Sequence, residues 1–100
     1  MKIVFITIGK TNEKYLIEGI LKYQERLKHY IQFEMIEIPN VKKSQNFSKI
    51  ELIRKEGDLV MRNLQDSDYL VLLDEKGEDF TSLKFAHKLQ KWMNSGKKRI

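Results

Sequence analysis

Apolar positions along the chain fall into short runs that alternate with helical stripes. Residues 2–8, Lys-Ile-Val-Phe-Ile-Thr-Ile, form a β-branched run ended by Gly9. A run apolar on both faces predicts a strand buried in a parallel sheet. Gly9 to Asn12 reads as a turn, with Thr11 or Asn12 placed to cap a first helix. Over residues 13–29, Leu16, Gly19, Ile20, Tyr23 and Leu27 share one helical face, and His29-Tyr30 close the helix. Residues 32–38 alternate polar and apolar, which predicts a strand near a sheet edge, stopped by Pro39.

A polar loop over residues 39–47 leads to Ser48-Lys49-Ile50-Glu51, the spacing of a capping box. The helix it opens carries Ile50, Ile53, Gly57, Val60, Met61 and Leu64 on one face. A glycine inside a helix costs about 1 kcal/mol relative to alanine, so Gly57 predicts close approach of this helix to the sheet. Asp66-Ser67-Asp68 is a turn. Tyr69-Leu70-Val71-Leu72-Leu73 is the strongest strand signal in the chain. Thr81 or Ser82 then caps a third helix with Phe85, Ala86, Leu89 and Met93 inward, and Gly96 stands where a C-terminal cap belongs.

The order is β-α-β-α-β-α followed by Lys97-Lys98-Arg99-Ile100. It predicts one α/β domain over residues 1–100 with a mainly parallel sheet and right-handed crossovers. Lys98-Arg99-Ile100 reads as the first step into a fourth strand, which predicts a chain cut short.

Composition narrows the function classes. There is no cysteine among the 100 residues, which excludes disulfides, thiolate metal sites and cysteine nucleophiles. No apolar run approaches the roughly 20 residues of a membrane helix, and the opening run is too short for a secretory signal. A soluble cytoplasmic protein is the expectation. The formal charge is +5, a moderate excess that suits an anionic partner such as RNA. The excess is concentrated in residues 1–50, with nine basic residues against five acidic, compared with ten against nine in residues 51–100.

Ligands of open parallel sheets bind outside the carboxyl ends of the strands. Two such ends are candidates. Ile8-Gly9-Lys10-Thr11 lacks the glycine spacing of a phosphate loop. Leu73-Asp74-Glu75-Lys76-Gly77 places an acidic pair after a buried strand. That pair suits a ribose or a metal, or Asp74 simply closes the loop while Gly77 supplies a positive φ. His29 and His87 lie far apart among polar residues, and two histidines without cysteine argue against structural zinc. Tyr15, Tyr23 and Tyr30 follow the first helix and serve packing or, beside Lys22, Arg26 and Lys28, base stacking. Trp92 is expected to be partly exposed. Lys42-Lys43 and Lys97-Lys98-Arg99 are candidate phosphate contacts.

Several of these pieces together resemble one family. Lys2-Ile3-Val4 with Gly9-Lys10, Glu13-Lys14-Tyr15, Glu18-Gly19-Ile20, Tyr23, Arg26-Leu27 and Tyr30 are similar to the start of the ribosomal RNA large-subunit methyltransferase H family. So are Ile36-Glu37-Ile38-Pro39, Lys55-Glu56-Gly57, Leu73-Asp74-Glu75-Lys76-Gly77, Thr81-Ser82 and Phe85-Ala86. The resemblance implies the N-terminal part of a SPOUT-class methyltransferase with a trefoil knot nearer its C-terminus, acting as a homodimer. It implies S-adenosylmethionine as cofactor and N3 of a pseudouridine in large-subunit 23S ribosomal RNA as target; no metal and no membrane partner are expected beside these. It carries Leu73 over as a cofactor-pocket residue, with Asp74 and Gly77 supporting the pocket. The glycine-rich strand end, the knot loop and a Tyr-His segment would lie beyond Ile100, so no catalytic residue is assigned and the piece alone is expected to be inactive. The alternative is a small basic α/β module that binds RNA or a protein without chemistry. A flavodoxin-like nucleotide binder fits less well, since no phosphate-cradling loop follows the first strand.

Overall fold

The computed structural model describes residues 1–41 and 48–100. Strands β1 (Lys2–Ile8) and β2 (Gln32–Ile38) enclose helix α1 (Lys14–Leu27), and helices α2 (Lys49–Met61) and α3 (Ser82–Asn94) come after them. The two strands are parallel, in register from Lys2 opposite Gln32 to Ile8 opposite Ile38. This is the expected α/β arrangement, with β2 as an edge. Helices α1 and α3 lie over one face, where Leu27, Phe85 and Leu89 line a hollow together with Ile3 and Phe33. Helix α2 covers the other, with Val60 and Leu64 facing Val4 and Ile6. Ile38, 5 % exposed, is the buried apolar residue of the described core.

Local chemistry fixes the helix starts. Ser48 Oγ accepts from the Glu51 N–H at 3.2 Å, and Thr81 Oγ1 accepts from the Lys84 N–H at 3.2 Å. Gly96 closes α3 at φ +80°. At the end of β1, Gly9 has φ +87°, and a Cβ there would stand 2.8 Å from Asn40 Oδ1. Its N–H donates to the Ile38 carbonyl at 2.7 Å, so this glycine turns the chain while staying tied to β2.

Four expectations are corrected. Helix α1 is capped by neither Thr11 nor Asn12. It starts after Glu13, whose extended backbone (φ −77°, ψ 123°) begins the helix without a side-chain cap. Of the face expected on α2, Val60 and, in the turn after the helix, Leu64 are half-buried, while Ile50, Ile53 and Met61 are exposed. A Cβ at Gly57 would meet nothing within 4 Å, so this glycine does not mark a close approach to the sheet. Residues 69–73 form no ladder. The Tyr69 N–H donates to the Arg99 carbonyl at 3.0 Å, but Leu70–Leu73 have no strand beside them among the described residues.

The stub itself behaves as a strand start. Lys2 and Val4 donate to the Lys98 and Ile100 carbonyls at 3.0 and 2.8 Å, and Ile100 donates back to Lys2 at 3.0 Å. The bridge is parallel to β1. Lys98–Ile100 therefore sits between β1 and Tyr69, on the side of β1 away from β2. Past Ile100 the two flanking segments face each other across a cleft.

Candidate functional site

The cleft lies between β1 and the run Tyr69–Leu73 and holds about 410 Å³. Its walls are apolar because both flanking segments are β-branched or leucine-rich. Its floor is formed by Ile100, Arg99 and Asp68, and Ile8 at the end of β1 and Leu73 at the end of the unpaired run both line it. Val71, Leu73 and Ile100 also line a second hollow of about 270 Å³ on the opposite face, against Phe85, Leu89 and Trp92. The opening thus reaches both faces of the sheet.

Leu73 is 68 % exposed and Leu72 is 75 % exposed. The sequence treats this run as a buried strand. In the structure its side chains stand open at the cleft because no neighbouring strand covers them. The loop after Leu73 is self-closed. Asp74 Oδ1 accepts from the Lys76 N–H at 3.0 Å, and the Gly77 N–H donates to the Asp74 carbonyl at 2.9 Å. Asp74 closes the loop, in line with the simpler of its two expected roles. Gly77 does not have positive φ; its lack of a side chain matters instead because a Cβ would stand 3.0 Å from the Asp74 carbonyl.

At the floor, Arg99 Nη1 lies 3.2 Å from Asp68 Oδ2, with the side chains 15 % and 7 % exposed. Asp68 Oδ2 also accepts from the Gln65 N–H at 2.8 Å, and Arg99 Nη2 reaches the Asn63 carbonyl at 3.4 Å. Asn63 lies just past the last turn of α2, where a cation is favoured by the exposed carbonyls. Asp68 Oδ1 and Arg99 Nη1 are buried without a hydrogen-bond partner. Sequence reasoning misses this pair, because Asp68 reads as a turn residue and Arg99 as part of a basic stub. Nothing local links the two.

The remaining candidates separate. Arg99 points inward, and Lys97 Nζ lies 4.4 Å from the centre of the Tyr69 ring, so these two are not free phosphate contacts. Tyr69 also packs against the partly exposed Trp92, ring centres 5.4 Å apart. His29, in the turn after α1, and His87, on α3, are both exposed and far apart in sequence. Tyr15, Tyr23 and Tyr30 are 70 %, 64 % and 83 % exposed, so packing does not account for them, and Arg26 lies over Tyr23 at 5.7 Å. Lys42-Lys43 lie outside the described residues. No helix among those residues is long and apolar enough to cross a membrane. No group of three or more potential metal-ligating side chains occurs among them.

Comparison with known proteins adds a pattern that covers the whole chain. A family model described as a predicted SPOUT methyltransferase matches residues 1–100. The chain is 50 % identical over its 100 residues to "Ribosomal RNA large subunit methyltransferase H" of Parabacteroides distasonis, of which it covers 64 %. It is 50 % identical over 95 residues to the protein of that name from Cytophaga hutchinsonii, covering 95 % of this chain and 61 % of that protein. It is 45 % identical over 100 residues to that from Christiangramia forsetii, covering 64 % of it. The chain spans less than two thirds of the length of these relatives.

Proposed function

The chain belongs to the SPOUT methyltransferase family, and on that premise we propose that the whole protein methylates large-subunit ribosomal RNA. The reading extends to S-adenosylmethionine as methyl donor and N3 of a pseudouridine in 23S RNA as acceptor. The protein acts in the cytoplasm as a homodimer, without a metal. The observation that carries the proposal is the unbroken likeness of all 100 residues to proteins named for large-subunit RNA methylation.

The donor fits the residues present. Its adenine is planar with apolar faces, and Leu73, exposed at the mouth of an apolar cleft, offers one wall for it. When bound, the donor supplies an electrophilic methyl group. Leu73 lines the pocket, and the closed loop from Asp74 to Gly77 fixes where that leucine stands. The chain's contribution is therefore orientation, which can supply a large share of a barrier reduction. A net charge of +5 favours the approach of RNA.

The test is methyl transfer by the complete natural protein. Labelled methyl should pass from S-adenosylmethionine to ribosomes that contain pseudouridine, and not to ribosomes lacking it. Failure to bind the donor by calorimetry, together with no transfer to either ribosome, overturns the reading.

A further inference from the structure

We propose that Asp68 and Arg99 form a positioning clamp that seats the strand begun at Lys98 between β1 and Tyr69–Leu73, and thereby holds Leu73 at the cleft. The functional half of this rests on the methyl-donor reading; the structural half does not.

The backbone of Arg99 is the starting point. Its neighbours Lys98 and Ile100 bond to β1, while its own carbonyl accepts from Tyr69. One residue thus joins both sides of the cleft. Apolar side chains alone do not fix this arrangement, because a strand shifted by one residue would present a different face to each wall. The Arg99 side chain removes that freedom. It reaches Asp68, the residue directly before Tyr69, and the Asn63 carbonyl at the end of α2. Asp68 is held in turn by the Gln65 N–H. A shift by one residue would move the guanidinium to the other face and leave Asp68 buried without a counter-charge.

The cost of that wrong state is what gives the pair its selectivity. A buried ion pair is weak evidence for stability but a well-attested device for register. Both groups retain a buried atom without a hydrogen bond, Asp68 Oδ1 and Arg99 Nη1. The pair makes no further hydrogen bond through these two atoms. Its geometry is explained by what it joins: α2, the turn before Tyr69, and the strand start at Lys98. Leu73 is four residues along the same run from Tyr69, so the register set at Tyr69 is carried to the cleft mouth.

The test uses the complete natural protein and two variants. Asp68→Asn keeps the shape and an acceptor for Gln65 but removes the charge. Asp68→Leu with Arg99→Met replaces the pair by apolar side chains of similar bulk, which can preserve stability. Amide exchange at Tyr69 should speed up at least tenfold in both, and the dissociation constant for S-adenosylmethionine should rise at least tenfold. The apolar double variant should do so with its melting temperature kept, which a merely stabilising pair would not show. Folded variants with unchanged Tyr69 exchange overturn the clamp. So do two variants that both fail to fold, since the pair is then a stability element alone. If Tyr69 exchange speeds up while donor affinity stays the same, the functional half falls. If the unaltered protein does not bind the donor, the methyl-donor reading fails and Tyr69 exchange still decides the clamp.

Discussion

The Tyr69 N–H donates to the Arg99 carbonyl at 3.0 Å, and the pairing of the Tyr69–Leu73 run begins and ends with that bond. Past it, Leu70, Leu72 and Leu73 are exposed and Val71 is half-buried, with no strand beside them among the described residues. The described architecture is a sheet with β2 at one edge, β1 inside, a three-residue start of the next strand, and an open cleft before Tyr69–Leu73.

Uncovered apolar surface has a thermodynamic consequence. The chain exposes 8800 Å², whereas a folded monomer of its mass exposes about 6,000 Å². Its radius of gyration is 15.6 Å, against about 13 Å for a compact domain of this length. Free strand edges and leucines promote association. The 100-residue chain on its own is expected to be weakly stable or to self-associate. Light scattering after size exclusion should show mass above the monomer or a broad, concentration-dependent melt. A sharp melt from a clean monomer would contradict this.

Helix starts give a cleaner stability test. Thr81 Oγ1 receives the Lys84 N–H at 3.2 Å at an exposed position. Replacing such a cap by alanine costs about 1 kcal/mol. Thr81→Ala, measured in the complete protein by urea unfolding, should lower the midpoint with an unchanged slope. Ser48→Ala should behave alike through the Glu51 N–H.

The turn after β1 separates two costs. Gly9→Ala places a Cβ in the left-handed region, at about 1–2 kcal/mol, and against Asn40, whose Oδ1 would be 2.8 Å away. Gly9→Ala should therefore destabilise by more than the backbone cost alone. Adding Asn40→Ala should recover the steric part and leave the backbone part. Equal losses in the single and double variants would show that Asn40 moves aside freely.

Much of this fold is legible in the sequence because its causes are local. The bounds of both strands, the caps at Ser48 and Thr81, and the turn at Gly96 are set by residues within a few positions of one another. What is not legible depends on distant partners. The residues of Tyr69–Leu73 have strand character, but a ladder needs a neighbour that local pattern cannot supply. On α2 and the turn after it, Ile53, Val60 and Leu64 share one stripe, and only the position of the sheet decides that its C-terminal members are covered while Ile50, Ile53 and Met61 stay exposed. Arg99 looks like its basic neighbours until Asp68 is brought beside it. The leucine carried over from the family resemblance is found at the cleft, and its exposure follows from there being no strand beside it among the described residues, which its own segment does not reveal.

Lys2 and Glu34 give a pH test of the β1–β2 pair. Lys2 Nζ lies 2.6 Å from Glu34 Oε2 across the strands. The hydrogen bond and charge of Lys2, aided by the field of Arg99, hold the Glu34 carboxyl below the usual glutamate range. A lowered carboxylate pKa means that the folded state binds the proton less well than the unfolded one. Its stabilisation is present above the ordinary glutamate pKa and is lost as pH falls towards the folded value. The pair is nearly half exposed, so its effect is small and screened by salt. A carbon-detected titration should place the Glu34 midpoint below that of exposed glutamates. Lys2→Gln should return it most of the way, and added salt should do so partly. A Glu34 midpoint unmoved by Lys2→Gln would remove Lys2 as the cause.

Leu73 is where stability and function should part. Truncating a buried leucine costs about 2–5 kcal/mol, but Leu73 is 68 % exposed, so in this environment Leu73→Ala should cost well under that. If Leu73 forms the apolar wall for the methyl donor, the same change removes contacts made only by the bound cofactor. In the complete protein, Leu73→Ala is expected to weaken S-adenosylmethionine binding about tenfold, a change worth about 1.4 kcal/mol. Leu73→Met, which keeps apolar bulk, should bind nearly as well as the unaltered protein. Calorimetry on the three proteins, with melting curves alongside, checks both halves. A large drop in melting temperature for Leu73→Ala would mean that more chain covers this residue in the whole protein. Full affinity in a folded Leu73→Ala would remove Leu73 from the cofactor pocket.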